Sequence, residues 1–158
     1  MRLRDAMENE VDRLARIWYD GWQDAHAAIL PEELARLRTL ESFRERLLAR
    51  LDTTRVAELH GEPVGFCTLN DDELYQLFVS ASARGSGVAA ALVADAEHRL
   101  ARAGFDTAWL GCAIGNDRAA RFYEKCGWHR VGEVVVAVET SRGPYDLELW
   151  RYEKPLRS

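Results

Sequence analysis

Apolar positions recur at two periods along this chain, and the change of period sorts it into elements. Between Glu8 and Asp20 the apolar residues Val11, Leu14, Ala15 and Trp18, with Trp22 beyond, fall at spacings of a helix with one buried face. Pro31-Glu32-Glu33 reads as a second helix start, because proline suits a first turn and acids suit the positive end of the helix dipole. Leu40 to Leu51 gives a further short amphipathic helix. From Val56 the period is that of strands: Val56 to Leu59 and Val64 to Leu69 flank His60-Gly61-Glu62-Pro63 as a hairpin. Asn70-Asp71-Asp72 turns the chain into a strand from Leu74 to Val79. Gly87 to Ala103 is again helical, with Val88, Leu92, Ala96 and Leu100 on one face and Gly104 as its stop. Thr107 to Ala113 reads as a strand, Asp117 to Lys125 as a helix, and Trp128 to Val138 and Tyr145 to Tyr152 as two strands.

With Arg2 to Ala6 as a short first strand, the expected order is β-αα-βββ-α-β-α-ββ. Helices then cover a mixed sheet in a layered α/β domain. Nothing along the chain repeats or reads as a linker, so residues 1–158 are expected to form a single domain. Composition narrows the partners. A net charge of −5 with dispersed Lys and Arg argues against nucleic acid and leaves a small molecule as the expected partner. No apolar run approaches the roughly 18 residues of a membrane span, and Met1 to Asp5 does not resemble a signal segment. Cys67, Cys112 and Cys126 are too scattered for a disulfide framework, so a cytoplasmic protein with reduced thiols is expected. Cys126 and His129 make a C-x-x-H pair without a second pair at metal spacing, so no metal is expected.

The chemistry concentrates in two segments. After Leu77-Phe78-Val79, a short connection leads to Arg84-Gly85-Ser86-Gly87-Val88-Ala89 at a helix start. Glycines let the backbone approach a ligand, a helix N-terminus offers aligned amides, and Arg84 adds positive charge, together an anion site suited to a pyrophosphate. Val88 and Ala89 follow where a P-loop needs Lys and Ser or Thr, so that reading fails. The dinucleotide fingerprint fits the glycines better, but Ser80 to Ala83 intervene and Asp106 precedes the next strand. A dinucleotide-binding module is therefore the lesser alternative. In the second segment Asn116 can cap a helix, and Tyr123, two turns on, shares its face, with Ala119 and Ala120 keeping the helix thin between them.

Taken together, Arg84 to Ala89 and Asn116 to Trp128 resemble the Gln/Arg-x-x-Gly-x-Gly/Ala loop and the Asn-x-x-Ala-x-x-Phe-Tyr segment of the GNAT superfamily of N-acetyltransferases. The usual proline before the loop is replaced by Ala81-Ser82. The resemblance implies a mixed, mostly antiparallel sheet of about seven strands with about four helices, and an enzyme that moves acetyl from acetyl-CoA to a primary amine. It implies that Gly85, Ser86, Gly87, Val88 and Ala89 hold the pyrophosphate. It further implies that Leu77, Phe78 and Val79 pair with pantetheine where their strand splays from Thr107–Ala113. A backbone amide near Phe78 or Val79 would bind the oxyanion, Asn116 and Ala119 would contact the cofactor, and Tyr123 would protonate the leaving thiolate. Glu73 is the expected base, a role carboxylates on this strand fill in related enzymes, while Gln76 could only position substrate. Trp22 and His26, with Asp24, recur on the first helix as candidate acceptor contacts, the ring suiting a cationic amine. Paired C-terminal strands imply a possible homodimer. The contrasting reading is an acyl-CoA sensor without catalysis.

Overall fold

The stripe that begins at Val11 belongs to a helix longer than the pattern alone delimits. In the computed structural model, which describes residues 1–156, it runs over Val11–His26 (α1) after a short first strand, Arg2–Asp5 (β1). Then follow α2 (Glu32–Leu37), α3 (Leu40–Ala49), β2 (Thr54–Leu59), β3 (Glu62–Asn70), β4 (Glu73–Val79), α4 (Val88–Arg102), β5 (Thr107–Ala113), α5 (Asp117–Lys125), β6 (His129–Val138) and β7 (Tyr145–Pro155). Three helices thus separate β1 from β2 where the expected order counted two. α2 begins where Pro31-Glu32-Glu33 reads as a helix start, so each of the three helices matches a segment read as helical from the sequence.

The strands form one sheet in the order β1-β2-β3-β4-β5-β7-β6. Every neighbouring pair is antiparallel except β4 and β5. That single parallel pair is far from the doubly wound parallel sheet a dinucleotide fold requires, so the dinucleotide alternative fails at the level of fold.

Helices cover both faces. On one, Trp18 of α1 stacks on Phe43 of α3 at 4.7 Å and tilts against Phe66 and Phe78 of the sheet. Gly21 makes that approach possible: a Cβ there would come within 2.5 Å of the Phe78 ring. On the other face, Leu92, Ala96 and Leu100 of α4 pack with Cys67, Leu110 and Trp128. Arg4 ties the first strand to the first helix, bonding the Glu10 carboxylate at 2.9 and 2.6 Å and Glu58 at 3.0 Å. Glu10 in turn accepts the Met7 amide at 3.0 Å and so caps the turn that leads into α1. Among the described residues no helix is long and apolar enough to cross a membrane.

The feature that makes room for a ligand lies in β4. Its pairing with β3 runs in register from Val79 to Gln76, then jumps so that Leu69 faces Leu74, leaving Tyr75 as an extra residue. A bulge of this kind bends and twists its strand. Beyond it β4 meets β5 only where Glu73 faces Trp109, and the two strands then diverge.

Candidate active site

The divergence opens a cavity of about 510 Å³ between β4 and β5, roofed by the starts of α4 and α5. One end is made of backbone. Gly85 and Gly87 have φ of +79° and +86°, a region L side chains rarely adopt, and a Cβ on either would meet nothing within 4 Å. Torsion, and not crowding, is what calls for glycine at both positions. Gly87 caps α4 without a side-chain bond, so the first-turn amides of this helix point outward unspent. Of the positions expected to hold a cofactor, Leu77, Phe78, Val79, Arg84, Gly85, Gly87, Val88, Ala89, Asn116, Ala119 and Tyr123 all line the cavity. Ser86 does not: its amide (3.3 Å) and its hydroxyl both bond the Ala83 carbonyl, folding it back into the loop.

The direction of the β4 amides follows from the ladder. Ser80 donates to the Val64 carbonyl at 2.8 Å, and Phe66 faces Phe78. Alternation then turns the Phe78 amide toward β3 and sends those of Leu77 and Val79 into the splay. Of the two positions expected for an oxyanion donor, the Val79 amide faces the splay and the Phe78 amide does not; the Leu77 amide faces the splay as well.

Tyr123 stands across the cavity on α5, its ring edge-on to Phe122 and Trp128 at 5.3 and 6.2 Å. Burial pushes its phenol well above the usual tyrosine range, so it stays a proton donor. Asn116 caps α5 by accepting the Ala119 amide at 3.2 Å. Its amide nitrogen then donates to His26 Nε2 at 3.4 Å, which leaves the His26 proton on Nδ1, buried and unpartnered. Burial, with Arg38 nearby, holds His26 down at about 4, so the ring is neutral. Cys112 also lines the cavity, but burial pushes its thiol up to about 11, a poor nucleophile.

Two expected acceptor contacts are corrected. Trp22 is 5% exposed and packs in the α1 core, supporting His26 from 5.7 Å behind without lining the cavity. Asp24 sits at the glycine-loop end, where its carboxylate takes Arg84 at 2.7 Å and Arg118 at 3.3 Å. Those bonds, Arg84 first, hold it below the usual carboxylate range. His26 does line the cavity, as expected of an acceptor contact.

The opposite end is made of side chains. Glu73 lies just past Leu74, where the cavity wall stops. Burial lifts its carboxyl to about 7, against the pull of an Asn70 hydrogen bond and of Arg50. Tyr75, the bulge residue, lines the cavity; its hydroxyl takes a bond from Arg46 at 2.8 Å and gives one to Glu139 at 3.0 Å. Arg50 also bonds Glu139, at 3.1 Å through Nε, and Arg38 donates to the Glu139 backbone carbonyl. Sequence reasoning missed Tyr75, Arg38, Arg46 and Glu139. One signal was available: Arg46 falls three residues after Phe43 and one before Leu47, on the apolar side of a short helix.

Comparison with known proteins agrees with this fold. The Acetyltransferase (GNAT) family matches over residues 12–128. An uncharacterized N-acetyltransferase of Archaeoglobus fulgidus is 27% identical over 135 residues, covering 78% of this chain and 89% of its own. The GCN5-related N-acetyltransferase from Rhodopseudomonas palustris superposes with a TM-score of 0.76 at 22% identity, covering 98% of this chain and 94% of the other. The PaiA N-acetyltransferase of Thermoplasma acidophilum, solved in complex with coenzyme A, gives 0.73 at 18% identity, with 98% of each chain covered. At these identities the structural likeness is one of fold.

Proposed function

The chain belongs to the GNAT acetyltransferase family, and from that premise we propose that it transfers acetyl from acetyl-CoA to a primary amine by direct attack in a ternary complex. The observation that carries the reading is the splay of β4 from β5, with a glycine-bounded helix start at one end and Tyr123 across it. The donor would lie with its pyrophosphate on the amides of Gly85 and of Gly87 to Ala89 and its pantetheine along Leu77–Val79. The coenzyme A bound to the Thermoplasma relative supports this choice of donor. We read residues 1–158 as one catalytic domain.

The amine nitrogen attacks the thioester carbonyl, and the C–N bond forms as the C=O pair moves to oxygen. The amide of Leu77 or Val79 holds that oxyanion. Collapse breaks the C–S bond, the thiolate takes its proton from Tyr123, and the second proton of the attacking nitrogen passes through water to the phenolate, leaving a neutral amide, a thiol and Tyr123 as it began. The amine arrives as an ammonium and loses a proton first. Glu73, lifted to about 7, is matched to that task at neutral pH, through a water spanning the step from Leu74. No cysteine is needed as a carrier.

Thermal denaturation with acetyl-CoA, CoA and NAD tests the donor. At about a hundred times its Kd a ligand adds roughly 2.7 kcal/mol, which is several degrees for a domain of this size. A shift with the two CoA species and none with NAD is expected; no shift with acetyl-CoA overturns the reading. Tyr123→Phe then separates a catalyst from a sensor. Turnover should fall by about 10²- to 10³-fold while acetyl-CoA binding is kept.

A further inference from the structure

Behind Tyr75, which lines the cavity where the cluster's other members do not, negative charge is short. Three guanidinium groups, Arg38, Arg46 and Arg50, converge on Tyr75 and Glu139. Arg50 is matched by the Glu139 carboxylate. Arg46 is held by the Tyr75 hydroxyl and by the Trp18 ring at 4.5 Å, contacts that seat a cation without neutralising it. Arg38 is 5% exposed and its one bond goes to a backbone carbonyl. The Nε atoms of Arg38 and Arg46 are both buried without a partner, as is Nδ1 of His26, whose ring lines the cavity. The other acid within reach, Glu73, faces Arg50 and is only partly ionised at neutral pH. Buried donors and charges left this way are costly unless something arrives to satisfy them.

Resting on the acetyltransferase reading, we propose that the acceptor is an amino carboxylate, whose carboxylate docks at the Tyr75 end against Arg38 and Arg46 while its amine faces the thioester. A planar guanidinium is the side chain best suited to a carboxylate. The same charges disfavour the ammonium form of a bound amine, which assists its deprotonation and disfavours polycations. Along β4 the amides of Leu77 and Val79 lie roughly 7 to 13 Å from Tyr75, so the separation of amine and carboxylate in the substrate is read out by chain length. An amine of cationic or purely apolar character, as the aromatic residues of α1 alone suggest, is not what this end of the cavity selects.

Two measurements on the full chain decide it. In the first, the arginine Nε–Hε resonances are followed by NMR during titration with butyrate, butyramide and butylammonium, with CoA present. Saturable shifts of the Arg38 and Arg46 signals with butyrate alone are expected. No butyrate response, or an equal one with butyramide or butylammonium, overturns the proposal. In the second, thiol release is measured for ω-amino acids from glycine to ε-aminocaproate, each against its carboxamide. The acid should be preferred by about 10- to 100-fold in kcat/KM, and Arg46→Gln should erase that preference while Glu139→Gln raises affinity for the acids. Carboxamides turned over as well as acids also overturn it. A parallel acetyl-CoA thermal shift keeps the two readings apart. A lost shift sinks the acetyltransferase assignment; a retained shift with no carboxylate response sinks only the acceptor class.

Discussion

The two ends of the cavity are built by different means. The donor end is backbone: two glycines at positive φ, an uncapped helix start and strand amides turned into a splay. At the end proposed for the acceptor Tyr75 of β4 lines the cavity, and behind it gather Arg38 after α2, Arg46 of α3, Arg50 at the cap of α3 and Glu139 after β6. Backbone recognition needs a conformation, and a few adjacent residues encode it. Side-chain recognition needs partners far apart in the chain to meet, so it can change without disturbing the first. A fold of this design lets one end change while the other is kept.

The largest effect expected at the side-chain end comes from Glu73→Gln. Its carboxyl is lifted to about 7, so the base form grows as pH rises and turnover should climb through that value. The variant should lose about 10²-fold in kcat at neutral pH together with that limb of the pH profile, with acetyl-CoA affinity unchanged. A retained limb would move the base elsewhere. Gly87→Val attacks the donor end instead. A β-branched residue at φ +86° is strained, so acetyl-CoA affinity measured by calorimetry should fall about 10- to 100-fold. If both ends responded to this change, the separation between them would not hold. Tyr75→Phe removes the hydroxyl that joins Arg46 to Glu139; the acceptor KM should rise several-fold, about the value of one charged hydrogen bond, with donor binding unaffected. A further effect, away from turnover, is on stability. His26 sits at about 4 in the folded chain against an ordinary 6.5, so the unfolded chain takes the proton first as pH falls. Stability should therefore drop between about pH 6.5 and 4, by up to about 3 kcal/mol, and His26→Gln should flatten that part of a denaturation-against-pH series.

The same contrast explains what the sequence made legible. The strands, α4 and α5 follow local period and caps, and the glycine loop and the Asn116–Tyr123 face are short motifs, so each could be placed from neighbouring residues. Ser86 fits the motif by spacing, yet its amide and hydroxyl are turned back on Ala83, a detail of loop geometry that spacing does not carry. Trp22 shares the helical stripe with His26, but the stripe is wide enough that one ring is core and the other lines the cavity. Asp24 is drawn to Arg84 and Arg118, residues distant in the chain. Arg38, Arg46 and Glu139 meet only because α2, α3 and the end of β6 converge on one bulged strand, and no local pattern announces that.

The extra residue in β4 has one more consequence, for the kind of mutation that could make or unmake this pocket. Thr68 faces Gln76 and Leu69 faces Leu74, so the pairs on either side of Tyr75 keep their proper faces with the insert present. Removing Tyr75 would leave those pairs and the buried Leu74 where they are, while straightening the strand and letting it zip further along β5. A one-codon deletion would thus spare the folded sheet and close its cleft. In this architecture the step between a continuous sheet and a sheet with room for a substrate is an insertion, which no series of substitutions reproduces.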